Sequence, residues 1–242
     1  MHLAFMSAKS QNTLEEARRL LAECVLFRGL SPDERKALVT RARTRSFATG
    51  DTIFLMGEPG DSMMAVLTGT VRISAPSPEG KEIVLAIMQP GEFFGEIALL
   101  DGKERSADAK AMTACTLAML DRRDVLAFLE HNREAWFRVV EVLCERLRRT
   151  TVQITEVALL EMPVRLAKAL LRISAAEAKL SASPTAAINL SQRELGHIVG
   201  ATRESVNKCL REWQRGKVVR IDGVSITILD RDALEALAGP PV

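Results

Sequence analysis

Cysteine is scarce, at four in 242 residues. That is too few for a disulfide scaffold, and a reducing cytoplasm is the expected compartment. Cys24, Cys115, Cys144 and Cys209 form no CxxC pair, and His2, His131 and His197 are scattered along the chain. Neither a zinc site nor an iron–sulfur cluster is expected, so no metal is assigned. Long apolar runs are also missing. Runs such as Ile97–Leu100 and Val157–Leu160, and even the six residues of Ile83–Met88, fall far short of the ~18 residues of a membrane span, so no membrane partner is expected. The opening MHLAFMSAKSQNTLEEARRL turns charged before an apolar core develops, unlike a secretory signal. No GxSxG, Walker loop or kinase-type glycine loop occurs, and the chain is not expected to be an enzyme. Net charge is only +2, so overall basicity says little about partners.

What is present is a globular composition, 47% hydrophobic and 26% charged, in a length that fits one large domain or two small ones. The charge is unevenly placed. From Pro163 onward there are 12 Lys/Arg and 8 Asp/Glu, and Arg193–Arg220 holds 7 basic against 3 acidic residues. A local basic patch attracts phosphate backbones through counterion release, although charge alone favours the plainer reading of a solvated helix face.

Glycine organises the first half. Eight of the 14 glycines lie between Gly50 and Gly102. They punctuate short apolar or β-branched runs at Thr52–Met56, Met63–Thr68, Val71–Ser74, Ile83–Met88 and Thr116–Leu120, with a hairpin tip at Gly80. Short strands with regular turn signals predict a sandwich or small barrel. From Asn132 to Glu161 there is neither Gly nor Pro. Trp136, Val140, Leu143, Leu147, Thr150, Ile154, Val157 and Glu161 follow in steps of four and three, a heptad seam for packing along a partner helix. Pro163 ends or bends the seam and is the expected hinge. Beyond it the pattern predicts a helix over Val164–Ile173 and a Ser/Ala/Pro linker at Ser181–Thr185. A β-hairpin turning at Asp222-Gly223 is expected between Val218–Ile221 and Val224–Ile228.

Ser191–Arg215 carries a mechanical motif. Ser191 caps a helix over Gln192–Val199, with Glu194 three residues on as in a capping box. Gly196 allows a second helix to cross closely, Gly200 turns the chain, and Thr202 caps a second helix over Arg203–Gln214. Leu195, Val199, Ala201, Val206 and Cys209 are the expected interface. This is a helix-turn-helix pattern, whose second helix enters the DNA major groove and here exposes Arg203, Glu204, Ser205, Asn207, Lys208 and Arg211. Arg or Lys suits guanine O6/N7, and Glu suits cytosine N4. The segment SQRELGHIVGATRESVNKCLREW resembles the helix-turn-helix of the catabolite-activator (cyclic AMP receptor protein) and fumarate–nitrate regulator family, and the likeness runs from about Leu26 to Ile228. The resemblance implies Arg203, Glu204 and Lys208 as base readers within a DNA-binding set that adds Ser191, Gln192, Thr202 and Ser205. The family's best-known member has arginine where Lys208 stands.

A second motif runs from Gly95-Glu96-Ile97-Ala98 to Arg105-Ser106. Glu96–Leu100 is long enough for one short helix, and Gly95 at its start lets an anion approach exposed N–H groups. Arg105 can pair with a phosphate, Ser106 can donate to it, and Glu96 suits a sugar hydroxyl. Physics alone leaves open a surface turn with a solvated arginine. The run resembles the phosphate-binding cassette of cyclic-nucleotide-binding domains. The likeness implies that Gly95, Glu96, Ile97, Ala98, Arg105 and Ser106 hold ribose and cyclic phosphate, and that Thr150 and Thr151 face the purine from a subunit and its partner.

Together these readings predict an α+β chain. A helical extension over 1–25 precedes a cyclic-nucleotide-binding β-roll (a double-stranded β-helix) over 26–130. A dimerisation helix and hinge occupy 131–162, and a winged helix-turn-helix fills 163–238. The implied function is a cytoplasmic, homodimeric transcription regulator that reads a palindromic DNA site. Cyclic AMP or cyclic GMP is the implied allosteric ligand and RNA polymerase an implied partner. A member active without cyclic nucleotide, one sensing another effector, and a regulatory subunit of a cyclic-nucleotide-controlled enzyme are the alternatives.

Overall fold

The computed structural model describes residues 40–77, 82–181 and 187–240. Cys24, the expected extension over 1–25, the start of the β-roll, the Gly80 hairpin tip and residues 182–185 of the linker lie outside the described residues. The chain divides into two compact units that part between Arg146 and Leu147.

The first unit holds two four-stranded antiparallel sheets. One runs β1 (Arg43–Phe47), β8 (Cys115–Asp121), β3 (Ser62–Thr68), β6 (Phe93–Phe94). The other runs β2 (Thr52–Phe54), β7 (Asp108–Ala111), β4 (Val71–Pro76), β5 (Glu82–Met88). β3 explains why its sequence, SMMAVLT, is an unbroken apolar run rather than an alternating one. Successive side chains leave opposite faces of a strand. Met64 and Val66 join Phe54, Val71, Phe94 and Leu117 in a core drawn from both sheets. Met63, Ala65 and Leu67 point the other way, into a second core under the helices. A strand buried on both faces has no polar side.

That second core is closed by α1 (Glu96–Asp101), α2 (Arg122–His131) and the start of α3 (Arg133–Leu159), through Leu99, Val125, Leu129, Ala135 and Val139. Arg122 Nε donates to Leu99 O at 2.7 Å and ties the end of α1 to α2. Asn132 caps α3 by accepting from Ala135 N at 2.9 Å. Farther along α3 the expected seam meets solvent. Leu147, Ile154 and Val157 are 68%, 64% and 43% exposed.

The second unit contains the rest of α3, then α4 (Met162–Ser181), β9 (Ile188–Asn189), α5 (Gln192–Val199), α6 (Arg203–Arg215), β10 (Val219–Asp222), β11 (Ser225–Ile228) and α7 (Arg231–Ala238). Its small sheet is ordered β10-β11-β9. Leu166, Leu170, Ile188, Leu195, Val206 and Leu210 are fully buried in it.

Two local expectations need correction. The helical run breaks at Leu160-Glu161, ahead of Pro163. Pro163 lies in the first turn of α4, where a missing N–H costs nothing. It therefore stands at the start of a helix and is not what ends the seam. The structure holds this break with Arg165, which donates to Leu160 O at 2.8 Å and to Val199 O at 3.0 Å, joining the ends of α3 and α5. The wing turn also shifts by one residue. Asp222 pairs with Ser225 inside the ladder, so the two-residue loop is Gly223-Val224. No helix among the described residues is long and apolar enough to cross a membrane.

Candidate functional sites

Gly95 joins β6 to α1 with a φ of +81°, in the left-handed region that favours glycine. A Cβ there would lie 2.7 Å from Arg105 Nη1. The same glycine offers no side chain to cap α1, so the first N–H groups of the helix, including those of Ile97 and Ala98, keep their hydrogen-bonding capacity. Ile97 turns its side chain to solvent while Ala98 is buried, and both fit a role played through the backbone.

Arg105 is only 5% exposed. Its Nη1 donates to Ser62 O at 2.7 Å and Gly95 O at 3.0 Å, and its Nη2 donates to Ser62 Oγ at 3.1 Å. The guanidinium stacks over Phe54, 4.3 Å from the ring centroid. Burial pulls its pKa down, opposed by Asp61, Glu58 and Glu96. Its Nε is buried with no acceptor among the described residues. A buried donor left unpaired costs about 1–3 kcal/mol, and an anionic oxygen would relieve that cost. Ser106 follows at the surface. These residues therefore fit a phosphate group.

Glu96 is 3% exposed and accepts at Oε1 from Arg146 Nη1, on α3. Arg146 also donates to Phe93 O and lies 5.0 Å from the Phe93 ring centroid. Glu96 Oε2 keeps its accepting capacity, as a sugar hydroxyl requires. Arg146 is a neighbour of the Glu96 carboxylate that the sequence reading missed. Its position four residues before Thr150 on a helix is the signal that was available. Thr150 and Thr151 are both exposed on α3, and Thr151 Oγ1 donates back to Leu147 O at 2.9 Å.

The second site is built by caps and one close crossing. Ser191 Oγ accepts from Glu194 N at 3.2 Å while Glu194 Oε2 accepts from Ser191 N at 2.7 Å. A Cβ on Gly196 would stand 2.7 Å from Ala201 O, so the turn between α5 and α6 requires glycine there. Thr202 Oγ1 accepts from Ser205 N at 3.2 Å and caps α6, and the Ser205 hydroxyl is engaged with it at 3.0 Å. Leu195, Val199, Val206 and Cys209 are buried as expected, and Ala201 is half-buried.

Val206, Cys209, Leu210 and Trp213 anchor one side of α6. Its opposite side presents Arg203, Glu204, Lys208 and Arg211, all exposed. Glu204 and Lys208 have the i,i+4 spacing that favours an intrahelical ion pair. In α7 that spacing pairs Arg231 with Glu235 at 2.8 Å, yet on α6 no ion pair forms between them among the described residues. Ser191, Gln192, Arg193, Arg203, Gly223 and Val224 line a cleft where the starts of α5 and α6 meet the wing. A charged helix face left unneutralised beside a cleft flanked by helix N-termini matches the surface of a nucleic acid. No group of His, Cys, Asp and Glu among the described residues could hold a metal ion.

Residues 44–132 match the family model "Cyclic nucleotide-binding domain", and residues 164–237 match "Crp-like helix-turn-helix domain". The chain is 31% identical over 219 residues to the "CRP-like cAMP-activated global transcriptional regulator" of Mycobacterium tuberculosis, covering 89% of this chain and 96% of that protein. A transcriptional regulator of the CRP family from Thermus thermophilus superposes with a TM-score of 0.68 at 29% identity, covering 81% of this chain and 97% of that one. The c-di-GMP responsive global regulator CLP of Xanthomonas campestris has the same fold, with a TM-score of 0.74 at 22% identity over 82% of this chain and 99% of the other.

Proposed function

The chain belongs to the CRP-like family of transcription regulators, and on that premise we propose that it is a homodimeric DNA-binding regulator switched by cyclic AMP. The observation that carries the ligand half is Arg105, a buried guanidinium with an unused N–H beside Gly95 and the Glu96 carboxylate. Arg105, Ser106 and the N–H groups at the start of α1 take the cyclic phosphate. Glu96, oriented by Arg146, takes the ribose hydroxyl. Thr150 and Thr151 are assigned to the purine on the family resemblance, and cyclic GMP is the competing ligand to be tested against cyclic AMP.

Self-association is supported by the exposed apolar seam of α3. Val140, Leu147, Ile154 and Val157 form a strip that water solvates poorly. Two copies pairing along this strip would bury it and make the assembly two-fold symmetric. A two-fold dimer with reading helices about 34 Å apart binds a palindromic site. Ligand acts by population shift, binding more tightly to the dimer state with that spacing. The chain does its work in the cytoplasm as a binding protein and not as an enzyme, with RNA polymerase as the partner at promoters.

A mobility shift on a random-sequence DNA pool, with and without cyclic AMP, tests this reading. Ligand-dependent enrichment of a palindrome is the expected result. Binding that ignores both cyclic nucleotides would remove the switch. Failure to select any palindrome would remove the regulator.

A further inference from the structure

The outward side of α6 carries a neutral residue among its charges, and nothing in the helix accounts for it. Asn207 lies one turn beyond Arg203 and shares a concave surface with Glu204, Lys208 and Arg211. It is half-buried, and its carboxamide makes no hydrogen bond among the described residues. Asparagine is a poor residue for a helix interior, because its side chain competes for backbone groups. It usually repays that cost by capping or by bonding to the backbone, and here Thr202 already provides the cap. The hydrophobic anchoring of α6 is also complete without it, through Val206, Cys209, Leu210 and Trp213.

We infer that Asn207 is a base-reading residue of this chain, selective for adenine at one position of each half-site. The inference rests on the DNA-binding reading above. Helical spacing sets two rows on the outer side of α6, Arg203–Asn207–Arg211 and Glu204–Lys208. The N-terminal half of a recognition helix is the part that reaches base edges, and Asn207 is the fifth residue of α6. A carboxamide offers one acceptor and one donor side by side. Adenine displays the complementary pair in the major groove, the N6 amino group and N7, and no other base edge matches both. Arginine and lysine on either side favour guanine, so a neutral amide between them adds a letter that they cannot supply. The absence of an internal partner keeps both amide groups available.

The test is selection from a randomised operator pool, using full-length protein with cyclic AMP, for wild type, Asn207→Ala and Asn207→Asp. Thermal unfolding of each variant confirms that it is folded. Wild type should enrich adenine at one position in each half-site. Asn207→Ala should lower the ratio of adenine to other bases there by about 5- to 150-fold, the equivalent of one bidentate contact, while other positions keep their preferences. Asn207→Asp replaces the donor with an acceptor and should move the preference to cytosine, whose N4 donates. Its general repulsion from phosphate cancels in the ratio. If wild type selects a palindrome and both variants select the same one, the assignment of Asn207 is overturned and the regulator reading survives. If wild type selects no palindrome, both fall.

Discussion

Replacing Arg105 by leucine should leave the β-roll folded and abolish its response to nucleotide. Arg105 makes three hydrogen bonds within the protein, to Ser62 O, Gly95 O and Ser62 Oγ. Losing them costs about 1–3 kcal/mol for acceptors left in a buried place. Leucine packed on Phe54 recovers part of that, since the burial that depresses the Arg105 pKa is itself a cost. Ligand binding loses more. Removing one partner of a buried, hydrogen-bonded charge pair costs about 2–5 kcal/mol, or roughly 30- to 5,000-fold in Kd. The assay is thermal unfolding with cyclic AMP held at 100 times the wild-type Kd. Wild type gains about 2.7 kcal/mol, worth on the order of 10–20 °C for a domain of this size. With Kd raised 30-fold the gain falls to about 0.9 kcal/mol, or roughly 4–7 °C, and it approaches zero for larger losses. Arg105→Lys keeps the charge without the fork and should fall between the two. A leucine variant that keeps the full wild-type shift would refute the phosphate assignment.

Gly196→Val should unfold the α5–α6 crossing, because the added side chain meets Ala201 O. DNA binding should disappear in a mobility shift while calorimetric cyclic-AMP binding persists. The double change Leu147→Glu and Ile154→Glu should yield a monomer by sedimentation without loss of helix content, since both side chains are exposed in the single chain; a dimer that survives it would exclude the α3 seam. Cys209, whose thiol is pushed up to about 11 by burial, should resist alkylation at pH 8, as read by peptide mass spectrometry. Its raised pKa carries a sign for stability as well. As pH climbs from about 9 towards 11 the unfolded thiol ionises first, so the native state loses stability there. Cys209→Ala should flatten that part of the curve in urea titrations.

Why one site could be read from sequence and the other only in part follows from the distance over which each is assembled. The helix-turn-helix is made by contacts within about one supersecondary unit. Ser191 and Glu194 cap each other at a separation of three, and Thr202 caps Ser205 at the same separation. The caps, the glycine offsets and the 3.6-residue period therefore state the same structure locally, and α5 falls where they place it. The nucleotide cassette instead depends on partners far away in the chain. Arg105 is held by Ser62, 43 residues distant, and Glu96 by Arg146, 50 residues distant. A motif supplies the donors but says nothing of such supports. The strands that escaped notice obey the same rule. β7 reads Asp-Ala-Lys-Ala, without a β-branched residue, and forms because β2 and β4 pair with it on both sides while Ala109 and Ala111 fill the inter-sheet core. β1 is polar at four of its five positions and exists through its register with β8. Pro163 shows the complementary case, in which a strong local signal reads as the end of one helix but stands at the start of the next. Proline punctuates helices at both ends, and only the break at Leu160-Glu161, held by Arg165 across to Val199, decides that here it starts one. Asn207 belongs with these. Its spacing marked it as exposed, but only the complete set of α6 contacts shows that its carboxamide has no work to do inside the protein.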